Sequence, residues 1–176
     1  MRVIAGEFRS RRLKSLPGLA TRPTPDRLRE TLFDILAPRI PGATFLDAYA
    51  GTGAVGIEAL SRGAARAIFL EKNRAALEVI RGNLAALELA GRSDVVPGPV
   101  IANLALYPAD MVFLDPPYDL EGEYAAALEA LAGRPPALVI VQHAARFPLA
   151  AEFSPLRRTR LLRQGDNALS FFTAAC

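Results

Sequence analysis

From residue 44 onward, short apolar runs alternate with longer segments whose apolar residues recur every three or four positions. The runs at 44–48, 67–71, 94–96, 111–115 and 138–142 read as strands, and the segments 55–62, 74–89, 100–106 and 123–131 fit helices. Continuous apolar strands separated by helices predict an α/β fold, a parallel sheet covered on both faces. Two later strands, near 158–163 and 168–173, have no helix between them and predict an antiparallel hairpin at one edge. Ahead of this pattern, residues 3–16 predict a short basic hairpin turning at Ala5-Gly6-Glu7, and residues 17–23 a linker. A helix then starts at Thr24, which can cap it, with Pro25 in the first turn and Leu28, Leu32, Phe33, Ile35 and Leu36 on its apolar face. Pro38 and Pro41 end it.

At 176 residues the chain has the length of one domain, enough to bury roughly 70% of its unfolded surface. Residues 1–176 therefore read as a single domain, with 1–22 as an extension. No stretch reaches the roughly 18 apolar residues of a membrane span, and the N-terminus lacks a signal-peptide core. The sole cysteine, Cys176, excludes an internal disulfide, and a cytoplasmic location is the expectation. The net charge of +3 is unevenly spread. Residues 1–30 carry Arg2, Arg9, Arg11, Arg12, Lys14, Arg22, Arg27 and Arg29 against Glu7, Asp26 and Glu30, and Arg157, Arg158, Arg160 and Arg163 cluster late. Arginine patches suit polyanions through forked phosphate contacts and base stacking. A solvated surface in a chain with only two lysines would look similar.

Phe45 to Gly56 reads as strand, glycine turn and helix start. Gly51-Thr52-Gly53-Ala54-Val55-Gly56 satisfies the dinucleotide pattern, with Glu71 about 20 residues on as that pattern asks. Spacing alone keeps a nicotinamide enzyme open. Asp47 argues against it, because a carboxylate at the strand end would face an anionic pyrophosphate. The same carboxylate suits S-adenosylmethionine, which carries an ammonium, a sulfonium and no phosphate. Ala50, Gly51 and Gly53 would lie against its methionine part, and Glu71 could accept both ribose hydroxyls.

Asp115-Pro116-Pro117-Tyr118 leaves the apolar run Met111-Val112-Phe113-Leu114. The two prolines end the strand and stiffen the loop. A carboxylate, a rigid carbonyl and an aromatic ring then suit one task, holding a planar exocyclic amine for methylation. In the usual methyltransferase strand order the fourth strand lies beside the first, which brings Asp115 to the glycine turn. A histidine-based metal cluster is excluded, since His143 is the only histidine. It reads as a strand-end polar residue and Asn83 as structural, and neither a metal nor a second subunit is expected.

With these residues in place, the chain resembles the 16S ribosomal RNA (guanine-N2)-methyltransferases of the RsmD type. The resemblance rests on Arg2-Val3-Ile4-Ala5-Gly6, Arg22 through Phe33, Leu46 through Ala64, Phe113 through Tyr118, and Gln164 through Leu169. It implies a Rossmann-like methyltransferase sheet with S-adenosylmethionine at Asp47, Gly51, Gly53 and Glu71. It also implies that Asp115, Pro116, Pro117 and Tyr118 hold a guanine of the small ribosomal subunit. Arg9, Arg11, Arg12, Lys14 and Arg22 then become the candidate RNA grip. Three positions depart from the family pattern: Gly98-Pro99-Val100 replaces a polar turn, Gln142-His143 stands where a glutamate is common, and Ala5 replaces a glycine. A DNA or RNA adenine-N6 methyltransferase, or an RNA-binding module without catalysis, are the competing readings.

Overall fold

In the computed structural model, residues 1–18 and 24–176 are described. Eight strands form one sheet in the order β3-β2-β1-β4-β5-β8-β7-β6. The strands are β1 Thr44–Ala48, β2 Arg66–Glu71, β3 Ser93–Pro97, β4 Met111–Leu114, β5 Leu138–Ala144, β6 Glu152–Phe153, β7 Leu156–Gln164 and β8 Asn167–Ala174. The first five pair in parallel, and β8 joins antiparallel to β5 and leads to β7 and the two-residue β6. The expected parallel sheet and edge hairpin are both present, and β6 is too short to have left a pattern.

Period-two alternation decides which face each residue covers. Phe45, Phe69, Phe113, Ile140 and Phe171 pack beneath α1 (Asp26–Leu36), α2 (Ala54–Ser61) and α3 (Arg74–Ala86). Leu46, Leu70, Val112, Leu114 and Val141 form the other core under α4 (Val100–Leu104) and α5 (Glu121–Ala132). Asp47 follows Phe45 by two, and Asp115 follows Phe113 by two. Both therefore emerge on the α1–α3 side at the carboxyl ends of their strands.

Two local expectations are corrected. Thr24 does not cap α1: Pro25 holds the cap position without a side-chain bond, and the Thr24 hydroxyl donates to Gln142 Oε1 instead, at 3.0 Å. Nor do residues 3–16 form a strand hairpin. A single antiparallel bridge, Arg2 to Arg12, closes the segment, helped by Val3 N–H to Arg11 O at 2.9 Å and Leu13 N–H to Met1 O at 3.0 Å. The ladder is absent because the backbone spends its donors on α2. Ile4 and Ala5 N–H groups donate to the buried Glu58 carboxylate at 2.9 and 3.0 Å. Glu7 N–H donates to Ser61 O, and Phe8 N–H to Ser61 Oγ. Gly6 permits this approach: a Cβ there would sit 2.0 Å from Ser61 O, and its φ is +85°.

Candidate functional site

The carboxyl ends of β1, β2, β4 and β5 open into a cavity of about 720 Å³, within the roughly 300–1,000 Å³ common for small-molecule sites. Asp47 lines it and is buried, and its Oδ2 accepts the Gly56 N–H at 2.9 Å, which fixes the start of α2. Gly56 has room for nothing larger, since a Cβ would fall 2.4 Å from the Phe69 ring. Glu71 sits one strand away. Its Oε2 accepts the Gly51 N–H and its Oε1 the Asn73 N–H, each at 2.8 Å. Each carboxylate oxygen keeps a second lone pair for a ligand hydroxyl. Ala50 and Gly51 line the same wall, and Gly53, with φ +81°, turns the chain into α2.

Asp115 lines the same cavity at the end of the neighbouring strand, a consequence of β4 pairing directly with β1. It keeps a solvent-accessible face, yet its apolar surroundings push the carboxyl up to about 7. Burial also drives the Asp47 carboxyl well above the ordinary range; the Gly56 N–H opposes this, and the charges of Asp115 and Glu71 add to it. Three carboxyl groups in one partly desolvated cavity, two of them reluctant to ionise, disfavour an anionic pyrophosphate and favour a cation, which would help them ionise. Pro116 is buried, Pro117 and Tyr118 are exposed, and all three border the cavity. The Tyr118 hydroxyl donates to Asn167 Oδ1 at 2.6 Å, tying this loop to the start of β8.

The N-terminal segment supplies part of the rim through Met1, Ser15 and Leu16. Asn83, buried on α3, holds it there. Its Oδ1 accepts the Lys14 N–H at 2.7 Å, and its Nδ2 donates to Lys14 O and Thr52 O at 3.2 and 3.1 Å. One side chain thus joins the basic segment to the glycine turn. Arg9, Arg11, Arg12 and Lys14 are exposed on this segment, with Arg11 Nη2 donating to Ala86 O at 3.1 Å. Arg22 lies outside the described residues.

Several wall residues carry no motif in the sequence. Tyr49 has φ +60° and its hydroxyl donates to Glu123 on α5. Thr24 and Gln142 also line the cavity. Gln142 was findable from register alone, since Leu114 pairs with Val141 and the next residues are Asp115 and Gln142. His143 faces away from the cavity. It bridges Ala144 O and Ser170 Oγ, each at 2.8 Å, and burial holds its pKa below the ordinary value. Pro99 caps α4 and is not part of the cavity wall.

A parallel sheet with β4 beside β1, a glycine turn, and carboxylates at successive strand ends define the class of Rossmann-like methyltransferases. The chain belongs to the family described as Conserved hypothetical protein 95, whose model matches residues 1–173; this is the RsmD type. It is 46% identical over 120 residues to the Ribosomal RNA small subunit methyltransferase D of Escherichia coli K12, covering 67% of this chain and 60% of that protein. It is 38% identical over 123 residues to the protein of the same name from Haemophilus influenzae, covering 67% and 64%. The chain thus matches less than two thirds of the length of either relative. A solved Escherichia coli structure described as the methyltransferase yhhF superposes with a TM-score of 0.86 at 36% identity, covering 99% of this chain and 97% of that one.

Proposed function

We propose that the chain is a cytoplasmic methyltransferase that uses S-adenosylmethionine to methylate the exocyclic N2 amine of a guanine in small-subunit ribosomal RNA. The observation that carries this reading is the placement of Asp115 at the end of the strand next to that of Asp47, in the cavity that Glu71 also lines, which puts an amine acceptor beside a cation-favouring donor site. The names of its relatives point to the same substrate class.

The residues divide the work. Asp47 fixes the glycine turn against α2 and offers negative charge to an ammonium. Glu71, already anchored by Gly51 and Asn73, offers its remaining lone pairs to ribose hydroxyls. Bound S-adenosylmethionine would supply an electrophilic methyl group on a positive sulfur. Asp115 and the Pro116 carbonyl accept the two N–H bonds of the amine, which frees its lone pair from the ring, and Tyr118 stacks on the base. Were that methyl taken by the nitrogen, with the carbon–sulfur pair left on sulfur, Asp115 or water would accept the proton that the amine releases. Alignment of this kind can remove up to about 7–11 kcal/mol of barrier, whereas a charge-assisted hydrogen bond contributes on the order of 1.5–3 kcal/mol. Positioning therefore outweighs basicity. A stacked base must leave its helix to reach the pocket, and Arg9, Arg11, Arg12, Lys14 and Arg22 hold the flanking phosphates.

Labelled S-adenosylmethionine with naked 16S RNA, small ribosomal subunits and DNA, followed by mass spectrometry of digested nucleosides, tests the proposal. Label on guanine N2 in RNA is expected. Label confined to DNA, or to adenine N6, refutes it.

A further inference from the structure

The late arginine cluster has no part in the functional reading, and the fold divides it. Arg157 is paired with Glu152 at 3.0 Å. Arg158 donates from Nη1 to Leu149 O at 3.2 Å, and Arg160 lies over the Phe171 ring, 5.9 Å from its centroid. Arg163 is different. It is exposed, and among the described residues its guanidinium makes no hydrogen bond, ion pair or ring contact. Arg146, exposed in the turn after β5, is unengaged in the same way. Asp166, exposed in the β7–β8 turn, pairs with neither.

Topology brings these two arginines to the mouth of the cavity. β7 runs in the same direction as β5, so it finishes at the cavity end of the sheet. Arg163 pairs with Ala168, and Ala168 with His143, the neighbour of Gln142 in the cavity wall. The turn that carries Arg146 is fastened to the β7–β8 turn by Ala145 N–H to Asp166 O at 2.8 Å. Its Phe147 packs on Tyr124 of α5, with ring centroids 4.8 Å apart. The acceptor loop reaches the same place, since Tyr118 donates to Asn167, which pairs with Gln164 on one side and Ala144 on the other. Arg146 and Arg163 therefore border one flank of that loop. The basic N-terminal segment, attached to α2 and α3, borders the other flank of the mouth. From β1 to β8 is three strand spacings, about 14 Å, so a strand gripped only by the N-terminal segment would be loose beyond the base.

We propose that Arg146 and Arg163 form a second phosphate grip, which holds the RNA backbone on the side of the target base away from the N-terminal segment. The RNA strand then crosses the mouth between two fixed points, and the base turns inward beside Tyr118. Charge favours this occupant: residues 144–166 carry five arginines against Glu152 and Asp166. A guanidinium fork with no protein partner suits a phosphate, to which it can donate two parallel hydrogen bonds. This inference rests on the methyltransferase reading above.

The test measures binding across a salt series to naked 16S RNA or small subunits, whichever the wild type methylates. Replacing Arg146 and Arg163 together with glutamine removes two phosphate contacts. The slope of log affinity against log salt should fall by about 1.4, and binding should weaken about 20-fold at about 0.1 M salt. Cofactor affinity should stay within about twofold. Replacing both with lysine keeps the charge and should keep the slope. Arg157→Gln, about 20 Å away along β7, should bind RNA like the wild type. In the wild type itself, bound RNA should protect Arg146 and Arg163 from phenylglyoxal and leave Arg157 reactive, a measurement that needs no variant to fold. An unchanged slope in the glutamine pair, an equal loss in Arg157→Gln, or no protection of Arg146 and Arg163 overturns the inference alone, provided the wild type labels guanine. A wild type that labels no guanine overturns the functional reading and this inference with it.

Discussion

Asp115→Asn should stabilise the protein at alkaline pH while disabling it. The carboxyl is raised from 3.8 to about 7 by desolvation in the cavity wall. Between those values the folded protein holds a proton that the unfolded chain has released. Ionising Asp115 therefore costs the fold nothing below the unfolded value, an increasing amount as pH rises, and the full amount above about pH 7. At 1.36 kcal/mol per pH unit the gap is a little over 4 kcal/mol; screening at the accessible face leaves about 2–4 kcal/mol. Asparagine fills the same space and never ionises, so the variant escapes this cost. For a domain of this size the gain corresponds to about 5–15 °C in Tm at pH 8, shrinking toward zero near pH 4. Melting curves of both proteins across pH 4–8.5 check it. A Tm difference that does not grow with pH, or a variant less stable at pH 8, refutes the desolvation argument. In the same wild type, kcat/KM for the cofactor should rise about tenfold per pH unit up to about 7 and then level off. The variant should lose transfer yet bind cofactor almost normally by calorimetry; a matching loss of affinity would make Asp115 a cofactor ligand instead.

Four further outcomes follow from the same geometry. S-adenosylmethionine should release protons on binding near pH 6–7, because its positive charge lowers the raised Asp115 and Asp47 carboxyls; S-adenosylhomocysteine, without the sulfonium, should release fewer, and equal buffer dependence of the two binding enthalpies would count against the cluster. Gly6→Ala should undock the N-terminal segment at a cost of about 2–4 kcal/mol, seen as lost hydrogen-exchange protection at Ile4 and Ala5; retained protection would contradict the close contact with Ser61. Asn83→Ala removes three buried hydrogen bonds and should weaken cofactor binding about tenfold, since Thr52 loses its tether; unchanged affinity would mean the glycine turn stands alone. Charge reversal at Arg11 and Arg12 should weaken RNA binding and flatten its salt dependence, and an unchanged slope would place the RNA surface elsewhere.

The sheet was legible because buried parallel strands print continuous apolar runs, and five of them are separated by helical periodicity. The glycine turn and the strand-end carboxylates were legible for the same reason: strand ends are where an apolar run meets a polar residue. Asp47, Glu71 and Asp115 are thus assignable to one end of the sheet from the sequence alone. What stayed hidden depends on partners distant in sequence. Thr24 resembles a helix cap by local rules, and only the fold brings it to Gln142, 118 residues away. The basic hairpin rests on a turn at Ala5-Gly6-Glu7, yet the backbone donors of Ile4, Ala5, Glu7 and Phe8 are satisfied by Glu58 and Ser61 on α2. Local pattern carries no trace of that competition.

Glu58 and Ser61 also change the meaning of the stretch from Gly56 to Arg62. Placed directly after a glycine turn, that stretch invites a role at the cofactor. Its conspicuous polar residues face the other way and hold the N-terminal segment: Glu58 through Ile4, Ala5 and Arg62, and Ser61 through Ala5 O, Glu7 and Phe8. Arg29, fully buried on α1, adds a bond from its Nη2 to Arg2 O. Asn83 completes the attachment at Lys14 and reaches Thr52 of the glycine turn. A segment fastened at so many points cannot swing freely, so a phosphate gripped by Arg9 or Arg12 is fixed relative to the donor site. Rigid attachment converts binding energy far from the base into alignment at the amine. Loosening the anchors should therefore reduce kcat as well as RNA affinity, and removing a single exposed arginine should lower both by a smaller factor.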